Sequence, residues 1–99
     1  PAPIDVLGSI IGEVGAAAEV ILDGGVRRGT DVLKALALGA RAVSAARPYL
    51  YGLAAAGYPG VRRALDLVDR SIRRDMALLG VRSVAEIDSS FVRRTPRQA

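Results

Sequence analysis

Cysteine and histidine are both missing from this 99-residue chain, and aromatic residues make up only 4% of it. Without cysteine there is no disulfide scaffold and no thiolate metal site, and the composition points to a reducing, cytoplasmic location. Without histidine the chain has neither the commonest general base nor the commonest metal ligand. Few rings are present to stack on bases. Lysine is nearly absent too: the net charge of +4 rests on arginines spread along the chain, with Lys34 the one lysine. Dispersed arginines read as solvated helix faces, so no nucleic-acid partner is expected. No apolar run approaches the roughly 18–20 residues that span a bilayer, so no transmembrane segment is expected. The opening Pro1-Ala2-Pro3-Ile4-Asp5 lacks the basic-then-apolar order of a signal peptide. It also lacks an initiator Met, as expected of a chain that begins mid-protein.

What remains is aliphatic. Hydrophobic residues reach 51%, too many for a disordered tail and enough for one domain at most, spanning 1–99. Ile4, Leu7, Ile10, Ile11 and Val14 recur at helical spacing, with Gly15 as a stop. Residues 18–22 form a short β-branched run that reads as a buried strand ending at Asp23-Gly24-Gly25. Thr30 and Asp31 are candidate N-caps for a helix over 32–38, with Gly39 behind it. Residues 41–45 read as a second strand. Pro48 opens a short helix over 49–56, and Gly57-Tyr58-Pro59-Gly60 breaks it. A long helix follows, with Val61, Ala64, Leu65, Val68, Ile72, Met76 and Leu79 as its apolar stripe. Ser83 and Glu86 have capping-box spacing, which predicts a last short helix. The arginine-rich tail, Arg93, Arg94 and Arg97 included, reads as frayed.

Strands alternating with helices imply an α/β fold with parallel strands and helical crossovers. Two parallel strands leave faces and edges that need cover, so the expected context is a larger array. The stretch most informative about chemistry runs from Asp23 to Asp31. Gly24 and Gly25 let backbone N–H groups approach an anion, the following helix N-terminus offers unpaired donors, and Arg27 supplies a bidentate cation. Asp23 suits ligand hydroxyls. Ala46-Arg47-Pro48, after the second strand, has the same character. In (β/α)8 barrels a phosphate site is frequent after the last two strands. Arg28 reads as a surface ion-pair residue, and Tyr49 and Tyr51 as packing beneath the short helix.

The run Asp23-Gly24-Gly25-Val26-Arg27-Arg28-Gly29-Thr30-Asp31 through Gly39-Ala40 resembles the FMN-dependent 2-hydroxy-acid dehydrogenases and oxidases, the family of lactate and mandelate dehydrogenases and glycolate oxidase. The likeness continues through Arg47-Pro48-Tyr49-Leu50-Tyr51-Gly52-Leu53 and Met76-Ala77-Leu78-Leu79-Gly80. It implies the C-terminal quarter of a TIM (β/α)8 barrel, two parallel strands with flanking helices. It also implies FMN as cofactor, held by Asp23, Gly24, Gly25, Val26 and Arg27 and by Ala46 and Arg47. The implied reaction is oxidation of a small L-2-hydroxy acid such as lactate. The catalytic His of the family has no counterpart here, so no catalytic residue is assigned and the segment alone is expected to be inactive. Its expected partners are the missing barrel portion or further copies of itself. The family usually has Gly where this chain has Ala46. Two other readings stay open: another phosphate-binding barrel enzyme, and a small basic binding module derived from one.

Overall fold

The computed structural model describes residues 2–95. Helix α1 spans Pro3–Val14 and stops where Gly15 turns to φ 53°. Leu7 is its core residue at 2% exposure, while Ile10 faces outward despite its helical spacing. A 3-10 turn at Gly15–Ala17 follows, and strand β1 is Ile21–Asp23, shorter and later than the expected 18–22. The turn takes up part of the segment between helix and strand, and the ladder reaches back only to Val20, whose carbonyl accepts the Arg41 N–H at 2.8 Å.

Helix α2 spans Gly29–Ala37, and strand β2 spans Ala42–Ser44. The strands pair in parallel, with Ile21 opposite Ala42, Leu22 opposite Val43 and Asp23 opposite Ser44. Alternation then sorts the side chains. Leu22 is buried and Val43 half-buried, packed in a cluster with Leu7, Val26, Val32, Ala35 and Ala40. Ile21, Asp23, Ala42 and Ser44 lie on the opposite face, which is open.

Helix α3 covers Arg47–Leu79 and is broken inside, where Ala56 (φ −149°) and Gly57 (φ 64°, ψ −142°) leave helical geometry. The expected break thus exists, centred on Ala56-Gly57, and Pro59 sits in the first turn of the resumed helix, where a missing N–H is harmless. The two arms touch backbone to backbone at Gly52 and Gly60, where any Cβ would overlap the facing peptide.

The long arm buries a narrower stripe than its sequence suggests. Val61, Ala64, Val68, Ile72 and Met76 are half-buried, but Leu65 and Leu79 remain 57% and 43% exposed. The reason is the position of α2. Its N-terminus lies directly on α3, so the contact side of the long arm carries small and polar groups: Gly29 N–H donates to Ser71 Oγ at 2.9 Å, and Asp75 is buried. Asp75 Oδ1 accepts from Arg74 Nε at 3.3 Å, and its Oδ2 has no partner among the described residues. A second cluster, Leu33, Ala37 and Ile87 with Ile72, Met76, Val81 and Val92, closes the end of α2.

Beyond α3 the expected short helix is two 3-10 turns, Val84–Glu86 and Ser89–Phe91. Ser83 is the N-cap of the first turn, and its carbonyl accepts the Glu86 N–H at 3.1 Å, but its side chain makes no cap bond; the Glu86 carboxylate accepts the Arg82 N–H at 3.2 Å. Arg94 pairs with Asp5 at 3.8 Å instead of fraying, and Arg97 lies outside the described residues.

A Cβ on Gly29 would stand 2.7 Å from Ser71 Oγ and overlap the α3 backbone. Gly29→Ala is therefore expected to lose about 1–3 kcal/mol from overpacking. Gly8→Ala, in an exposed helix interior with nothing within 4 Å, should gain about 0.5–1 kcal/mol. Urea denaturation of both variants reads the two signs.

Candidate functional site

The first loop is built by two glycines and two anchors. Gly24 and Gly25 have φ of 97° and 79°, a region other residues enter only with strain. They turn the chain so that Val26 returns to the core at 5% exposure, leaving Arg27 exposed. The second anchor is Asp31, whose Oδ2 accepts the N–H groups of Arg27 and Arg28, each at 3.0 Å.

Those bonds overturn part of the sequence reading. The N-cap of α2 is Arg28, neither Thr30 nor Asp31; Asp31 acts from the third helical position. With Gly29 N–H held by Ser71 Oγ, three backbone donors at the start of α2 are satisfied within the protein. The helix terminus after the first loop is thus not the open anion cradle expected of it. Arg28 makes no ion pair among the described residues, contrary to its expected role.

The second loop supplies what the first withholds. α3 begins directly after β2, with Ala46 as an N-cap that makes no side-chain bond. The N–H groups of Arg47 and Tyr49 lie in the first helical turn, where a helix has no internal acceptors, and Pro48 has no N–H. This uncapped terminus carries the partial positive charge of the helix. The N-cap residue is alanine, which carries a methyl group where glycine has none.

Both loops meet at one cavity because the parallel register brings the ends of β1 and β2 to the same edge. Its volume is about 570 Å³, within the roughly 300–1,000 Å³ of small-ligand sites. All seven residues singled out from sequence line it: Asp23, Gly24, Gly25, Val26, Arg27, Ala46 and Arg47. Val26 contributes backbone, its side chain being buried. Ser44, Ala45, Pro48 and Tyr51 complete the wall. Tyr51 is 69% exposed, so it stands at the cavity and not beneath the helix; its spacing of four from Arg47 was the available signal. Ser44 was legible only as a polar residue in a weak strand.

Two arginines, Arg27 and Arg47, and one acidic residue, Asp23, line this space. The carboxylate is engaged: Ser44 Oγ donates to Asp23 Oδ1. Neither Arg27 nor Arg47 has an acidic partner among the described residues. The cavity therefore presents unneutralised positive charge, a first-turn helix terminus and glycine backbone, and fits a phosphate with a hydroxylated arm. No group of three potential metal ligands occurs among the described residues.

The sequence model of the FMN-dependent dehydrogenases matches residues 1–94. The chain belongs to the FMN-dependent dehydrogenase family. Human 2-hydroxyacid oxidase 1 is 52% identical over 96 residues, covering 97% of this chain and 26% of that protein. The L-lactate oxidase of a Nostoc strain is 47% identical over 91 residues, 92% of this chain and 25% of that one. Among solved structures, an (S)-mandelate dehydrogenase superposes with a TM-score of 0.84 at 40% identity, over 90% of this chain and 25% of its own. A mandelate oxidase with an FMN adduct gives 0.77 at 50% identity, over 83% and 26%. The chain thus spans about a quarter of the relatives it matches. The family depends on FMN, and the donor set at the cavity suits that cofactor. One relative, from rice, is a peroxisomal oxidase, so family membership does not carry the cytoplasmic location inferred from composition. No helix among the described residues is long and apolar enough to cross a membrane.

Asp31→Ala would orphan two N–H groups of the first loop. It is expected to lose about 1 kcal/mol, as a cap does, and to speed amide hydrogen exchange at Arg27 and Arg28 while residues of α1 keep their protection.

Proposed function

We propose that the chain is the C-terminal, FMN-phosphate-binding quarter of a (β/α)8-barrel oxidoreductase that oxidises L-2-hydroxy acids, such as lactate, to 2-oxo acids. The observation that carries this reading is the convergence of Arg27, Arg47 and the uncapped start of α3 on one cavity, with Asp23 at its rim. Arg27 and Arg47 hold the phosphate of FMN, each as a planar fork with permanent charge. Backbone N–H groups from Gly24 to Val26 and at Arg47 complete the anion's hydrogen bonds, and Asp23 accepts from the ribityl hydroxyls. FMN held there would supply the redox chemistry, a two-electron acceptor for the substrate's α-carbon hydrogen.

This chain's part in that reaction is to hold one end of the cofactor. It has no histidine, so the base that removes a proton from the substrate hydroxyl comes from elsewhere, and the chain alone is inactive. The open face of the two strands supports the barrel reading. Ile21 is 62% exposed there, and a closed barrel would cover it with strands from the remaining three quarters. In their absence the chain is expected to self-associate.

The phosphate role separates cleanly from the rest of the flavin. Arg27→Ala or Arg47→Ala should weaken FMN binding about tenfold to a hundredfold, the value of a charge-assisted hydrogen bond, while leaving riboflavin affinity unchanged. Flavin fluorescence titration measures both. Equal loss for riboflavin, or no binding of FMN by the protein, would sink the reading.

A further inference from the structure

We infer that Ser44 is a positioning residue for Asp23, keeping its carboxylate from closing onto the two arginines that line the same cavity. The inference rests on the FMN reading for the identity of the ligand; its structural half does not.

Asp23, Arg27 and Arg47 line one cavity, so a carboxylate and two guanidinium groups branch from the wall of the same space. Left to themselves, such groups pair, since a carboxylate matches a guanidinium fork in charge and shape. An Asp23–arginine pair would neutralise a cation needed for an anion and occupy the acceptor needed for a hydroxyl. No such pair exists among the described residues. Instead Asp23 Oδ1 accepts a hydrogen bond from the Ser44 hydroxyl, and Asp23 forms no ion pair among the described residues.

The register explains why Ser44 does this and no other residue. Asp23 and Ser44 are opposite one another as the last residues of the two paired strands, so their side chains rise side by side from the same face. Backbone pairing fixes both Cα positions, and the hydroxyl then sets the direction of the carboxylate. Both residues are exposed, so the bond adds little to folding. Its consequence is orientation: one oxygen is tethered, and the other remains available to a polyol. A larger apolar residue at position 44 would provide bulk but no tether, and alanine would provide neither.

The test uses the full chain as wild type, Ser44→Ala, Ser44→Thr, Asp23→Asn and the Ser44→Ala/Asp23→Asn double variant. FMN and riboflavin affinities are measured by quenching of flavin fluorescence. Ser44→Ala should weaken both ligands about two- to tenfold, the range of a typical net hydrogen-bond contribution, and Ser44→Thr should restore them. In the Asp23→Asn background, Ser44→Ala should have no further effect. Unchanged affinity in Ser44→Ala, or the same loss with and without Asp23, would overturn the inference by showing that Ser44 does not act through Asp23. A ligand-free crystal structure of Ser44→Ala gives an independent reading: Asp23 should pair with Arg27 or Arg47, and a carboxylate left in its original place would overturn the inference. If the wild type binds no FMN, the cofactor reading falls, and the ligand-free structure still decides what Ser44 does.

Discussion

The parallel pairing of Ile21–Asp23 with Ala42–Ser44 is the constraint on which the site depends. Parallel strands deliver their C-terminal ends to the same edge, so the loop after each strand emerges beside the other. Three residue pairs suffice for that, yet two short strands are not stable in isolation. Leu22 and Val43 therefore matter as much as the ladder, because they fasten the inner face of the pair to Leu7, Val26, Val32 and Ala35. The same alternation that buries Leu22 leaves Asp23 and Ser44 on the open face. The acid and its tether are exposed as a direct consequence of which neighbours are apolar.

The second constraint is the close seat of α2 on α3. Gly29 allows the backbone of one helix to reach Ser71 on the other, and Asp31 turns the preceding N–H groups inward. A helix start that is sewn into the protein in this way is a rigid mount rather than a ligand donor. The first loop consequently offers its glycine backbone and the Arg27 side chain, and the free helix terminus comes from α3. The division of labour between the loops is unequal, and it assigns weight to the loop bearing Ala46.

Much of this was legible in the sequence because local chemistry dictates it. Gly15, Gly57 and Gly80 mark helix ends or breaks where the chain takes positive φ, and no side-chain contact is needed to anticipate them. The run Asp23-Gly24-Gly25-Val26-Arg27 signals a phosphate loop by residue type, and all five residues line the cavity. Other features resisted reading because they belong to pairs distant in sequence. Leu65 and Leu79 fit a helical stripe but face solvent, since the helix touches its neighbour along a narrower line than the pattern offers. Asp75 is buried where charge is unexpected, since burial is set by elements remote in sequence.

The sequence by itself determined the order of helices and strands, the positions of the turns and the lack of an imidazole base. Each of these follows from properties carried by one residue or its near neighbours, whereas the seven candidate ligand residues were proposed from a family resemblance. Tertiary structure alone decided that α3 and not α2 leaves its first turn without a cap among the described residues, and that Ser44 reaches Asp23. Those outcomes depend on strand register and helix seating, and each joins residues about 20 to 40 positions apart. Contacts over such separations are set by the packing of the whole core, and no local pattern encodes them.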